Sequence, residues 1–468
     1  MSGVDGTPDP IRARGAGVLL HPSSLPGGTL DAGARFVDFL AAAGLTWWQM
    51  LPVNPADEVG SPYQSCSAFA GDIRLVVDTG DPAPPDQWRE QLAADAPAAA
   101  EFERFRQRER DWLEDYARYR ALKDRHGGAP WWQWPEPLRD RDAGALARFD
   151  ADAVDEIGAR AFEQYVFFAR WRGLREYARA RGVRLIGDLP IFVAHDSADV
   201  WAHRQQFKLG ADGHPRVVAG VPPDYFSELG QRWGNPVYDW DAIARSGYRW
   251  WAARVRTQLQ LFDRLRLDHF RGFLAAWEIP ADSATAVNGA WQPGPGRALF
   301  DALRDQNGAL PFIAEDLGII TADVTALRRE LALPGITVLQ FGFDGSAANP
   351  YLPHNHERDT LACTGTHDND TTASWFLSLD ERTQRHVCEY LDADAADMPW
   401  SLIRAALASV ARLAVIPMQD LLALGSGHRM NTPGTNVGNW RWRFAWDEVP
   451  ADLAHRMRAL NRLYGRCD

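Results

Sequence analysis

Carboxylates at the ends of short apolar runs are the first chemistry the sequence offers. LRLDHFRG carries Asp268, PFIAEDLG carries Glu315, and LACTGTHDND carries Asp368. Side chains alternate along an extended chain, so Arg266 and Asp268 share one face. A guanidinium beside a carboxylate favours the ionised form, which suits a nucleophile. A carboxyl that must deliver a proton needs the opposite, shielding or negative neighbours that raise its proton affinity. Glu315 fits that part if it faces the same pocket as the other two. Taken singly, each acid is better read as a rim ion pair or a helix cap. Three of them together, two accompanied by His269 and His367, point to carboxylate-dependent chemistry.

The elements that must position these acids repeat along the chain. Apolar runs at 17–20, 45–53, 183–189, 265–268, 311–316, 336–343, 361–368 and 414–420 each have the length and density of a buried parallel strand. Most end in a polar or acidic residue. Eight such runs predict an α/β fold, a closed (β/α)8 TIM barrel in which site residues stand at strand C-termini. Amphipathic spacing predicts helices over 32–43, 162–178, 248–262, 321–331 and 402–413. The gaps 54–182 and 193–247 are too long for simple crossovers. They are expected to be subdomains inserted after the second and third strands of one catalytic barrel domain spanning 1–468, the first of them mainly helical.

The bulk numbers limit the partners. The chain of 468 residues has 50 Lys and Arg against 62 Asp and Glu, a net charge of -12. That disfavours nucleic acid, which needs a basic footprint, and leaves a neutral sugar unopposed. Cys66, Cys363, Cys388 and Cys467 are scattered without CxxC spacing, so free thiols in a reducing compartment are expected. The opening MSGVDGTPDPIRARG has no apolar stretch of signal-peptide type, and no apolar run is long enough to span a bilayer. A cytoplasmic protein without a membrane partner follows as the expectation. The 20 Trp include the clusters Trp47-Trp48, Trp131-Trp132, Trp134 and Trp250-Trp251. Each could stack on a sugar, but large rings more often fill cores.

The motifs closely resemble those of the amylomaltases, the 4-α-glucanotransferases of glycoside hydrolase family 77. The similarity runs from about Gly17 to the C-terminus and includes six segments in order. LRLDHFRG resembles the family's nucleophile motif, AEDLG its acid/base motif and GTHDN the motif of its third acid. GVPPDYFSELGQRWGNP resembles the substrate-covering loop, within 193–247, while SPYQSCSAFAG and NTPGTNVGNWRWR match further family segments. The resemblance implies Asp268 as nucleophile, Glu315 as acid then base, and Asp368 as the acid that holds sugar hydroxyls. It implies that Arg266 orients Asp268, and that His269, His367 and Tyr63 contact the sugar beside the cleaved bond. Asp188 corresponds to a family acid lining the donor pocket, and a structural role is equally open to it. Asp224, Gln231, Trp233 and Asn235 match loop residues expected near substrate. The chain departs from the family at Asp57-Glu58-Val59-Gly60, where an aromatic residue is common, and at Asp72-Ile73, where Asn-Pro is usual.

The implied reaction is retaining disproportionation of maltooligosaccharides and α-1,4-glucans. Bonds broken and made are alike, so no nucleotide, metal or other cofactor is expected. An α-amylase-type hydrolase would use the same acids, and a non-enzymatic glucan-binding barrel is a rival from another class. No GxGxxG follows the first strand run, which disfavours a dinucleotide enzyme, and no EF-hand loop is visible.

Overall fold

A computed structural model describes residues 13–76, 87–223, 227–435 and 437–468. Its strands in chain order are β1 (Gly15–Leu19), β2 (Trp47–Gln49), β3 (Arg184–Leu189), β4 (Val217–Val221), β5 (Gln231–Pro236), β6 (Arg264–Leu267), β7 (Ala275–Pro280), β8 (Ala290–Pro293), β9 (Phe312–Ala314), β10 (Gly335–Val338), β11 (Thr360–Cys363) and β12 (Leu413–Pro417). Eight of them form one parallel sheet in the order β10-β11-β12-β1-β2-β3-β6-β9. The two edges meet: the Ala314 N–H donates to Pro334 O at 2.8 Å, and the Ile336 N–H donates to Asp316 Oδ1 at 2.9 Å. The sheet thereby curls into the expected (β/α)8 barrel, and all eight apolar runs supply its staves.

Both faces of these strands are buried, which explains their near-continuous apolar character. Leu19, Trp47, Ile186, Ile313, Val338, Leu361 and Val415 fill the interior. The alternate residues, among them Val18, Trp48, Leu185, Leu265 and Leu267, face the surrounding helices. Register then places the charges. Arg266 stands opposite Asp188 on β3 and Ile313 on β9, so its guanidinium points into the barrel at the level of Asp188.

Helices Gly33–Ala42, Val154–Arg179, Arg249–Leu261, Ala322–Glu330 and Trp400–Ala408 overlap the five predicted stretches with shifted ends. The last stops early because Ser409 is extended and β12 already begins at Leu413. Within 54–182, helix Ala96–Arg125 packs on Val154–Arg179 through Phe102 against Tyr165 and Phe105 against Phe168. A second, antiparallel sheet, β5-β4-β7-β8, joins the 193–247 segment to a hairpin that follows β6. Nothing in the strand pattern announced that hairpin, since β8 is four residues, AWQP, all exposed. Of the Trp clusters, Trp47, Trp48, Trp131, Trp134, Trp250 and Trp251 are buried. Only Trp132 is half-open, stacked on His195 at 3.9 Å between ring centroids. No helix among the described residues is long and apolar enough to cross a membrane.

Candidate active site

The pocket is organised around Arg266. Its Nη1 lies 2.8 Å from both Asp188 oxygens and 2.8 Å from Asp268 Oδ1, and Nη2 lies 3.9 Å from Glu315 Oε2. One guanidinium thus gathers acids delivered by β3, β6 and β9. Asp188 is sealed beneath it at 1% exposure and also accepts a 2.7 Å hydrogen bond from the Tyr63 hydroxyl. Burial pushes the Asp188 carboxyl up and Arg266 pulls against that shift. Burial, and then Asp188, hold the Tyr63 phenol well above its ordinary value, so it stays a donor.

Asp268 follows directly on β6, with its N–H bonded to Leu189 O, and the next residue turns the chain sharply. His269 adopts φ 50, ψ 54, a left-handed conformation that costs a non-glycine residue about 1–2 kcal/mol. The turn aims the His269 N–H at Glu315 Oε2, 2.6 Å away, while the Leu317 N–H donates to Oε1 at 3.0 Å. Burial raises the Glu315 carboxyl to about 7; Arg266 opposes the shift and the Asp268 charge adds to it. This is the high-affinity carboxyl that a proton donor requires. The His269 ring is enclosed, its Nε2 has no hydrogen-bond partner among the described residues, and burial lowers it to about 4. It is therefore neutral at pH 7.

Asp368 reaches the pocket from the loop after β11. Its Oδ1 accepts from Asn431 Nδ2 at 2.6 Å and lies 3.3 Å from His367 Nε2. The Arg429 guanidinium ties the Asp368 carbonyl to the Asn431 carbonyl. Tyr63 and His367 stack at 5.2 Å and 16°, with Trp440 against both.

The structure therefore brings together Tyr63, Asp188, Arg266, Asp268, His269, Glu315, His367 and Asp368. Trp233 meets His269 edge-on at 4.9 Å, and its indole donates to Gln231, which is exposed. Asn235 is buried in loop packing, bonded to Val193 O and to Gln64. Asp224 lies outside the described residues. Arg429, Asn431 and Trp440 join the site without a signal in the sequence that marks them. Two of them lie in the NTPGTNVGNWRWR segment, whose irregular sequence shows no periodicity that would aim a side chain at a pocket.

A closed parallel barrel with carboxyls from several strand ends around one arginine defines the class: a (β/α)8 enzyme equipped for glycosyl chemistry. The family model described as 4-alpha-glucanotransferase, Glyco_hydro_77, matches residues 19–80 and 85–448, and the chain belongs to that family. It is similar to the 4-alpha-glucanotransferase of Thermus thermophilus, 46% identical over 96% of this chain and 98% of that protein. The chloroplastic/amyloplastic 4-alpha-glucanotransferase of Solanum tuberosum is 40% identical over 98% of this chain and 87% of that protein. Among solved structures, the amylomaltase from Streptococcus agalactiae in complex with acarbose aligns with a TM-score of 0.92. It is 33% identical and covers 97% of this chain and 100% of that one.

Proposed function

We propose that this chain transfers a segment of α-1,4-glucan from a donor maltodextrin to the 4-hydroxyl of an acceptor glucan or glucose, by retaining double displacement. Asp268 is the nucleophile and attacks the anomeric carbon. Glu315 gives its proton to the departing glycosidic oxygen, then takes the proton of the acceptor hydroxyl in the second half. The observation that carries this division is the contrast between the two carboxyls. Asp268 is ion-paired with Arg266 at 2.8 Å, whereas Glu315, enclosed and 3.9 Å from the same guanidinium, is raised to about 7.

Asp368 holds the sugar hydroxyls of the glycosyl unit beside the cleaved bond. With Oδ1 committed to Asn431 and His367, its other oxygen is left for that contact. The neutral His269 hydrogen-bonds the same ring, and Tyr63 with His367 forms the wall on which the ring stacks. Asp188 acts through Arg266 and Tyr63. Residues 54–182 and 193–247 are insertions in one catalytic barrel domain. The second covers the substrate, with Asp224, Gln231, Trp233 and Asn235 in the covering segment, and excludes water so that a sugar acceptor wins.

The test is to incubate the purified protein with maltotriose alone and resolve the products over time. A ladder of longer maltodextrins with glucose, and little rise in total reducing ends, is the expected outcome. Glucose and maltose without longer chains would make it a hydrolase, and unchanged maltotriose would remove the reading.

A further inference from the structure

Tyr63 sits on an irregular backbone segment, and the structure shows how that segment is held. Residues 68–71 run through the interior without joining a sheet, so their backbone groups need other partners. The Ser67 hydroxyl accepts from the Phe69 and Ala70 N–H groups at 3.1 Å, and four buried polar side chains from four separate places supply other partners. Asp199, in helix Ala198–Ala202, accepts from the Ala68 N–H at 2.7 Å. Gln258, in helix Arg249–Leu261, donates to Ala68 O at 3.3 Å. Asn54, beyond β2, donates to Ala70 O at 2.8 Å. Gln164, in helix Val154–Arg179, accepts from the Gly71 N–H at 2.8 Å and donates to Gly71 O at 3.0 Å. All four are at least 94% buried. The Ala198 N–H also donates to Cys66 O at 2.9 Å, which docks the segment on the start of helix Ala198–Ala202.

Asp199 is the only charged member of this socket. Burial raises it to about 6, opposed by the Ala68 N–H and by Arg254, so at neutral pH it is mostly a carboxylate and a strong acceptor. Five residues before Ala68, the Tyr63 hydroxyl reaches Asp188, and the Tyr63 ring reaches His367. The stretch from Tyr63 to Ala68 therefore leads from the reactive pocket to the Asp199 socket.

We propose that Asp199 is a positioning residue for the transfer reaction: by gripping the Ala68 amide it fixes the segment that presents Tyr63 to the donor sugar. The proposal rests on the functional reading above. It separates Asp199 from the groups that touch substrate, since its hydrogen bond goes to the Ala68 backbone, five residues along the chain from Tyr63.

Asp199→Asn keeps the shape of the side chain while removing its charge and burying an extra N–H. A charge-assisted hydrogen bond weakened in this way predicts about a tenfold loss of kcat/KM on maltotriose. In a Tyr63→Ala background the same substitution should change kcat/KM less than twofold, because the group it positions is gone. Hydrogen exchange of the peptide spanning 63–71 should quicken in Asp199→Asn at temperatures well below its unfolding transition. Equal losses in both backgrounds would reduce Asp199 to general stability and overturn the proposal. So would wild-type kinetics or unchanged exchange. The exchange arm needs no turnover, so it distinguishes failure here from failure of the functional reading, which the unsubstituted chain on maltotriose reports.

Discussion

At the scale of single residues, Glu315 carries the clearest consequence. It must be protonated to release the leaving group, so kcat/KM should fall on the alkaline side with an apparent pKa near 7, the value to which burial raises it. Glu315→Gln should abolish that limb together with transfer between natural maltodextrins. Formation of the glycosyl-enzyme from a donor such as a glycosyl fluoride, whose departure needs little acid help, should survive. The same shift has a stability sign. A carboxyl raised from 4.5 to about 7 on folding contributes stability that is complete below pH 4.5 and lost as pH rises through 7. Glu315→Gln should therefore unfold less readily than the parent at pH 8, by up to ~3 kcal/mol. Equal stability at that pH, or an unchanged alkaline limb, would remove Glu315 as the acid. The acids themselves were legible because each closes an apolar run. Their supports were not: Asn431 lies 63 positions from the Asp368 it contacts and belongs to no periodic segment.

At the scale of elements, the aim of Asp188 depends on how closely β3 lies on the helix behind it. Gly187 makes that approach possible, because a Cβ there would stand 2.3 Å from the Phe262 ring. Gly187→Ala should push the strand away, at a cost of about 1–3 kcal/mol, and shift Asp188 relative to Arg266. A fall in kcat/KM that Phe262→Leu partly reverses in the double variant is the expected result, and independent, additive losses would refute the packing argument. This level also shows why some elements could be read in advance and others could not. A barrel strand buried on both faces leaves a dense apolar run, as in VRLIGDL. The β7–β8 hairpin has a fully exposed second strand and owes its existence to pairing with β4, residues 217–221. Tertiary context decides such strands, and local pattern is silent about them.

At the scale of the whole molecule, the eightfold count of runs fixed a closed barrel in advance, but not how its last seam would close. Among the described residues the ladder between β9 and β10 is thin: one backbone hydrogen bond, Ala314 to Pro334, and then the side chain of Asp316 in place of a strand carbonyl. Asp316 bonds the Ile336 N–H at 2.9 Å and pairs with Arg328 at 2.8 Å, and Arg328 is itself buried. A Cβ on residue 335 would meet both Asp316 oxygens at 2.8 Å, so Gly335 is what lets the carboxylate lie against β10. Asp316 is the nearer of two acidic partners of Arg328, with Glu357 at 3.4 Å, so its loss should cost less than the about 3–5 kcal/mol typical of breaking a buried ion pair. Asp316→Ala should accordingly lower the midpoint of urea unfolding. Because residue 316 follows Glu315 directly, activity should fall as well, through a seam that no longer holds the proton donor in place. Glu315→Gln gives the opposite pairing, lost transfer in a chain at least as stable at pH 8. An Asp316→Ala protein with the parent's urea midpoint would show that the barrel closes without this side chain.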